Sequence, residues 1–284
     1  MRHIDLGIGY TKTMKTHEKL IAVTGAGGGI GGELVLNLLS RGARVAAIDL
    51  RQENLATIAV RAGENADNLS THACDIGDKE AVAALPAAIA DAHGQQVDGL
   101  INCAGIIQPF VKVNELDYEA IDRVMRVNFY GTLYMTKTFL PYLLTRPEAH
   151  IVNVSSMGGF LPVPGQSIYG ASKAAVKLMS EGLFAELLDT PVRVSVVFPG
   201  ATKTDITKNS QVSTPGNADV AAAESKYKML PADKAAKIII DGMESNKFQI
   251  FTGSDSNMMN RLYRLSPAYA TKLIAKQMKS LLSK

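Results

Sequence analysis

The sequence predicts a single-domain α/β protein, a doubly wound parallel sheet of about seven strands with helices on both faces, and three observations carry that expectation. The apolar run Lys19-Leu20-Ile21-Ala22-Val23-Thr24 ends in the glycine-rich Gly25-Ala26-Gly27-Gly28-Gly29-Ile30-Gly31-Gly32, after which Glu33 to Leu39 carries apolar residues at helical spacing. The same alternation of short apolar run and helix-period segment repeats to about residue 253, the pattern that builds parallel strands joined by crossover helices. At 284 residues the chain can bury one substantial core, and folds of this class commonly form one domain at that size.

Taken in order, the first strand is Lys19 to Thr24 and the others are Arg44–Asp49, Ser70–Cys74, Gly99–Asn102, His150–Val154, Val192–Phe198 and Phe248–Phe251. Helices fit between them at 33 to 41, 53 to 64, 78 to 93, 117 to 144, 169 to 188 and 232 to 244. The glycines after the first strand let the backbone approach a pyrophosphate with no Cβ in the way, and the N–H groups opening the next helix present the positive end of its dipole. In open sheets of this kind ligands bind beyond the carboxyl ends of the strands.

Chemistry is concentrated later. Tyr169 and Lys173 stand four residues apart in Ser167-Ile168-Tyr169-Gly170-Ala171-Ser172-Lys173, and Ser156 lies just past the run His150 to Val154. On a helix a four-residue step stacks the ammonium on the same face as the phenol. A free phenol ionises near pH ~10, and an adjacent positive charge lowers that value, so Tyr169 is expected to shuttle a proton at neutral pH.

Read as Thr24-Gly25-x-x-x-Gly29-Ile30-Gly31, followed by Asp49, Asp75, Asn102-Cys103-Ala104-Gly105, Asn128, Ser156, Tyr169, Lys173, then Pro199-Gly200 and Thr204, the chain resembles the classical short-chain dehydrogenase/reductase family over roughly residues 19 to 253. The ordered set carries the resemblance, since any one motif is weak alone. Cys103 stands where the family often has a second asparagine, and Thr202 where a small apolar residue is common.

The resemblance implies a Rossmann-type fold and hydride transfer between a nicotinamide cofactor and a secondary alcohol or ketone. It implies that Tyr169 is the acid–base group, that Ser156 hydrogen-bonds the substrate oxygen, and that Lys173 binds the nicotinamide ribose. Asn128 would hold, through its backbone carbonyl at a helix distortion, a water linking Lys173 to solvent; a satisfied core asparagine is the alternative. Gly25, Gly29, Ile30 and Gly31 would cradle the pyrophosphate, with Asn102, Ala104 and Gly105 near the nicotinamide ribose. Pro199, Gly200, Thr202 and Thr204 would receive the carboxamide end. Asp75 either touches the adenine or caps the helix near Asp78, and Ser156 has a turn-residue reading beside its catalytic one. Asp49 is expected to accept the adenosine ribose hydroxyls, its alternative being an N-cap for the helix near Gln52. A carboxylate there repels a 2′-phosphate, and Ala26 to Gly28 contain no cation, so NAD is favoured over NADP, with Arg51 keeping NADP open.

Other features bound the reading. A net charge of +3 without a basic stripe in the core region argues against nucleic acid. Cys74 and Cys103 suit a reduced, cytoplasmic setting better than a disulfide framework, and the five histidines have no ligand spacing, so no metal is expected. Residues 1 to 18 are polar and are expected to form a disordered leader. The stretch from about Asp205 to Leu230 looks like a substrate lid. With Phe160 to Pro164, Ile106, Ile107 and Phe110 as a wall, it points to an uncharged, hydrophobic alcohol or ketone.

Residues 254 to 284 form a basic amphipathic tail that Pro267 splits into two helices, to be packed on its own domain or a neighbouring subunit, with contact to an anionic membrane surface as the alternative. No run is long enough for a transmembrane helix. By the resemblance, the helices spanning 117 to 144 and 169 to 188 join copies into a homotetramer or dimer. Two other functions compete. A nucleotide-sensing module without chemistry is opposed by the complete Asn–Ser–Tyr–Lys set, and a nucleotide-sugar epimerase or dehydratase is opposed by the short carboxyl-terminal region.

Overall fold

The computed structural model describes residues 13–212 and 229–278. Its parallel sheet has the order β3-β2-β1-β4-β5-β6-β9, formed by β1 (Leu20–Thr24), β2 (Arg44–Asp49), β3 (Leu69–Ala73), β4 (Gly99–Asn102), β5 (Ala149–Val154), β6 (Val192–Pro199) and β9 (Gln249–Thr252). Two short strands, β7 (Thr202–Lys203) and β8 (Leu230–Pro231), pair separately. All seven predicted strands are present, each within a residue of its expected bounds. Every residue of β1, β4 and β5 is buried, as expected of parallel strands covered on both faces.

Two apolar layers flank the sheet. On one face α1 (Gly29–Ser40), α2 (Gln52–Ala62) and α8 (Ala232–Glu244) contribute Leu34, Leu38, Leu55, Ile239 and Met243. On the other, α3 (Lys79–His93), α5 (Thr132–Leu143) and α6 (Ser167–Glu186) contribute Val82, Ile89, Phe139 and Leu183. The first helix begins at Gly29 rather than 33, because the glycine turn itself supplies its opening residues.

The predicted helix 117 to 144 is interrupted. After α4 (Tyr118–Met125) the backbone widens into a π-helical segment, Arg126–Gly131, before resuming as α5. Asn128 sits in that segment with its side chain turned onto the loop after β4, a tertiary contact that periodicity does not reveal.

Residues 13–18 of the expected disordered leader are ordered. Met14 is buried in the core beside α1 and α8, and Thr16 donates from its N–H and hydroxyl to Glu244 Oε1 at 3.0 and 2.7 Å. Arg41 binds Glu244 and Asp241 from the other side. A polar composition concealed one apolar anchor and one carboxylate that accepts from a hydroxyl. Residues 1–12 lie outside the described part, as does 213–228 of the expected lid; the lid's described portion forms a single helical turn, α7 (Ile206–Asn209).

The tail forms α9 (Ser254–Leu265) and α10 (Pro267–Gln277), divided at Pro267 as expected. It packs on its own domain: Met259, Ala270 and Ile274 bury against Leu161 and Phe160. Leu265 and Tyr269, apolar residues of this amphipathic tail, point to solvent at 84 and 58 % exposure. No helix among the described residues is long and apolar enough to cross a membrane.

His150 is fully buried between β5 and β6. Ser195 Oγ donates to the carbonyl of Lys247 at 2.7 Å, so it accepts from His150 Nε2 at 2.8 Å, which leaves Nδ1 unprotonated and without a partner among the described residues. Burial, with Arg193 adding repulsion, pulls the ring's pKa down to about 3. The folded state therefore refuses a proton that the unfolded chain accepts below about 6.5. Stability is complete above that value and falls as the pH drops from 6.5 toward 3, by up to about 1.4 kcal/mol per pH unit. Denaturant midpoints of His150→Asn should fall less steeply than wild type between pH 6.5 and 4.5. A reduced slope rather than a flat one is expected, because burial also lowers His72 and His93.

Candidate active site

The strand order reverses between β1 and β4, and the carboxyl ends on both sides of that seam open into one cleft of about 580 Å³. Thr24 holds the seam: its hydroxyl oxygen accepts from the N–H groups of Cys103 and Ala104 at 3.0 and 3.1 Å. Gly25 follows in the left-handed region, φ 67°, and a Cβ there would come within 2.8 Å of Ala104 Cα, so only glycine lets the two strand ends meet. At the turn's far side a Cβ on Gly29 would strike Thr204, 2.6 Å from its Cγ2. Gly28 caps α1 without a side chain, which leaves the N–H groups of the helix's first turn to a ligand. This cradle fits a dinucleotide pyrophosphate in shape and polarity.

Asp49 lines the cleft at the end of β2. One carboxylate oxygen accepts from Gly27 N–H at 3.0 Å, and the other from Arg51 N–H and Asn54 Nδ2 at 3.1 and 3.3 Å. It is not a helix cap; α2 begins after Arg51 with no side-chain cap at all. Arg51 reaches across the mouth to Asn209 Oδ1 at 3.0 Å. Asp75 also lines the cleft, closing a turn onto Gly77 N–H and pairing with Arg126 at 2.9 Å. The capping alternative for it is overturned: Asp78 caps α3 through the N–H groups of Glu80 and Ala81.

Ser156, Tyr169 and Lys173 converge on the cleft across the seam from Asp49. Ser156 Oγ accepts from Gly158 N–H at 3.0 Å, the turn contact expected of it, and also faces the Tyr169 phenol, whose pKa it acts to lower. Lys173 Nζ donates to the carbonyl of Val154 at 2.9 Å. A Cβ on Gly105 would lie 3.0 Å from that ammonium and 3.3 Å from Asn128 Oδ1, so the loop after β4 runs between them.

The electrostatics differ from the expectation for Tyr169. Burial raises the phenol's pKa, and the Ser156 hydrogen bond offsets only part of this. Burial likewise draws Lys173 down to about 8, with Cys103 acting weakly in the opposite sense. The pair is poised by desolvation more than by mutual attraction.

Two predicted residues stand behind the cleft. Asn128, fully buried, clamps the backbone of Ile106 by accepting from its N–H at 2.8 Å and donating to its carbonyl at 2.9 Å, and it also donates to Ser172 Oγ. Its own carbonyl accepts from Thr132 Oγ1 at 2.8 Å. Asn102 does not face the cleft; its amide donates to Thr136 and Asn153 in a buried polar chain between β4 and β5. The other predicted glycines, Ile30, Ala104, Pro199, Thr202 and Thr204 line it.

Sequence reading passed over several residues. Ser172 Oγ donates to the Tyr169 carbonyl and ties α6 to Asn128. Gln108 accepts at Oε1 from the N–H groups of Ile168 and Tyr169, a helix cap delivered from 61 residues away. Met278, from the tail, joins Met157, Ile107, Phe110 and Val163 in the cleft wall. Phe160 and Leu161, expected in that wall, turn outward to seat the tail. A Gln in a loop and a Met at a chain end carry no sequence signal for such contacts.

A family model described as short chain dehydrogenase matches residues 19–214. SadH, an inferred oxidoreductase of Mycobacterium tuberculosis, is 32% identical over 261 residues, covering 90% of this chain and 94% of its own. An uncharacterized oxidoreductase of Staphylococcus saprophyticus is 34% identical over 68% of this chain and 82% of its own. Among solved structures, a short-chain dehydrogenase/reductase from Burkholderia phymatum in complex with NAD superposes with a TM-score of 0.81 at 25% identity, over 90% of this chain and 96% of that one. A short-chain dehydrogenase from Burkholderia cenocepacia in complex with NADP does so at 0.73 and 27%, over 95% and 100%. With the family model matching residues 19–214 and a relative 32% identical over 90% of its length, this chain belongs to the short-chain dehydrogenase/reductase family of oxidoreductases and carries its NAD(P)-binding fold.

Proposed function

We propose that the protein moves a hydride between NAD(H) and an uncharged, hydrophobic secondary alcohol or ketone, and the observation that carries this is the convergence of Ser156, Tyr169 and Lys173 on an apolar cleft. When bound, the nicotinamide gives or takes the hydride. The chain's own groups handle the proton and the charge. Ser156 Oγ holds the substrate oxygen and supports negative charge on it. Tyr169 gives its phenolic proton to that oxygen in reduction and receives it in oxidation. Lys173 supplies the positive charge that lowers the cost of the phenolate and binds the nicotinamide ribose. Asn128 fixes the Ile106 loop and the Ser172 tie, and its place in a π-helical segment supports a proton path from Lys173 toward solvent.

NAD is the cofactor this reading favours. The Asp49 carboxylate meets the adenosine end of the cleft, where it accepts ribose hydroxyls and repels a 2′-phosphate, while Arg51 is engaged by Asn209. The free thiols Cys74 and Cys103 support a reducing cytoplasmic setting. Leu178 on α6 and Tyr118 on α4 are 70 and 84 % exposed, which supports a homo-oligomer built through these helices. The outward face of the tail, with Leu265, Tyr269, Arg261 and Lys272, is the one an anionic membrane surface would meet.

Each part has a test. NADH-linked turnover over a panel of alcohols and ketones should fall by about 10²- to 10⁴-fold in Tyr169→Phe with cofactor binding retained; binding without turnover in the wild type would instead identify a nucleotide sensor. Lys173→Met should abolish turnover yet raise the denaturant midpoint at pH 7. The folded-state pKa of the lysine, lowered to about 8, makes its charge a cost that is full below pH 8 and fades as the pH rises toward 10.5. Asp49→Asn should shift the kcat/KM ratio from NAD toward NADP by about tenfold or more, a loss of one charge repulsion. Leu178→Glu should reduce the mass measured by light scattering; an unchanged mass removes these helices as the interface.

A further inference from the structure

Asn209 ends α7, the described part of the expected lid, and lines the cleft beside the glycine turn. A Cβ added to Gly28, the residue that caps α1, would lie 3.4 Å from Asn209 Nδ2. The amide's orientation is fixed by chemistry. Its Oδ1 accepts from Arg51 Nη2 at 3.0 Å, and a guanidinium can only donate, so the group cannot be turned over and Nδ2 is the atom left against the cradle. Nδ2 itself donates to no described residue.

The segment carrying this amide is pinned to both edges of the cleft. Arg51 ties it to the loop after β2, and Ser210, 2 % exposed, accepts at Oγ from Ile107 N–H at 2.9 Å and so ties it to the loop after β4. Arg123 adds a bond to the Ser210 carbonyl at 3.3 Å, and Asn209 N–H donates to the Asp205 carbonyl at 2.8 Å. Next to Gly28 are the N–H groups that open α1, left to a ligand by a cap without a side chain. A dinucleotide pyrophosphate seated there is dianionic, and Gly25 to Gly31 contain no cation, so the cradle holds it with neutral donors. Asn209 offers one more of these. The Arg51 guanidinium on its Oδ1 polarises the amide and strengthens the N–H as a donor.

We propose that Asn209 is a cofactor ligand contributed by the lid: its Nδ2 donates to a pyrophosphate oxygen of the nicotinamide dinucleotide seated on the first turn of α1, with Arg51 setting the amide's orientation. This rests on the nicotinamide-cofactor reading of the cleft and is indifferent to the choice between NAD and NADP, which share that pyrophosphate. The base of the lid then reads the cofactor before any substrate arrives.

Fluorescence titration with NADH and competition by ADP-ribose test it, since both carry the pyrophosphate and neither measurement needs turnover. Asn209→Ala should weaken both ligands by about tenfold, the worth of one hydrogen bond to a charged group. Asn209→Asp should weaken both further, by about 10²-fold, although it keeps the acceptor for Arg51 and makes that contact an ion pair. A clasp that only held the lid would in that variant bind as wild type or tighter. Thermal midpoints without cofactor should be unchanged or higher in Asn209→Asp, which separates lost binding from lost folding. Wild-type affinity in either variant overturns the proposal, and so does weakening confined to NADH, which would put the contact on the nicotinamide half; turnover in the wild type then leaves the hydride reading standing. A wild type that binds neither NADH nor ADP-ribose overturns both.

Discussion

The seam between β1 and β4 is the constraint on which the site depends. Two parallel strands whose crossovers leave in opposite directions must part at their carboxyl ends, and what parts them here is held to within hydrogen-bond distance by one hydroxyl. Thr24 Oγ1 accepts from two consecutive N–H groups of the β4 end, Cys103 and Ala104. Gly25 then passes against Ala104 in a conformation other residues resist. Loosening either would shift the glycine cradle relative to the loop that carries Gly105 and Ile106, and so relative to the Lys173 ammonium on the other side of that loop.

The acidity of the cleft is set by exclusion of water. Lys173 is drawn down and Tyr169 raised by the same burial, so both groups lean toward their neutral forms before any ligand arrives. At a pKa of about 8 the lysine still carries its charge at pH 7, so the fold bears the cost of that buried charge beside a neutral phenol. The bonds that keep the pair in place are polar and local: Ser155 Oγ donates to the Lys173 carbonyl, Ser172 Oγ to the Tyr169 carbonyl, and Gln108 caps the helix from which both residues project.

Much of this was legible in the sequence because it rests on short-range rules. Periodicity located the strands to within a residue, and ordered motifs located the residues that face the cleft from Gly25 to Thr204. The misreadings share a cause, which is that the deciding contact comes from elsewhere in the chain. Asn128 and Gln108 act through loops and helices 22 and 61 residues away. Met14 is anchored by a helix more than two hundred residues on, since Thr16 of the same segment meets Glu244 across a separation of 228. Asp75 and Asp78 were interchangeable as caps until the turn at Gly77 took one of them. Tyr169 shows a different limit: a spacing announces a neighbouring charge but not the dielectric around it.

Met278 sits 64 residues beyond the last position of the family match, yet it closes the wall of the cleft. One part of the cleft wall is thereby encoded outside the matched stretch, while Ile107, Phe110 and Val163 belong to it. Insertions, deletions or exchanges after β9 can reshape that part while Ser156, Tyr169 and Lys173 stay untouched. Likeness across residues 19–214 alone therefore leaves one side of the cavity unspecified.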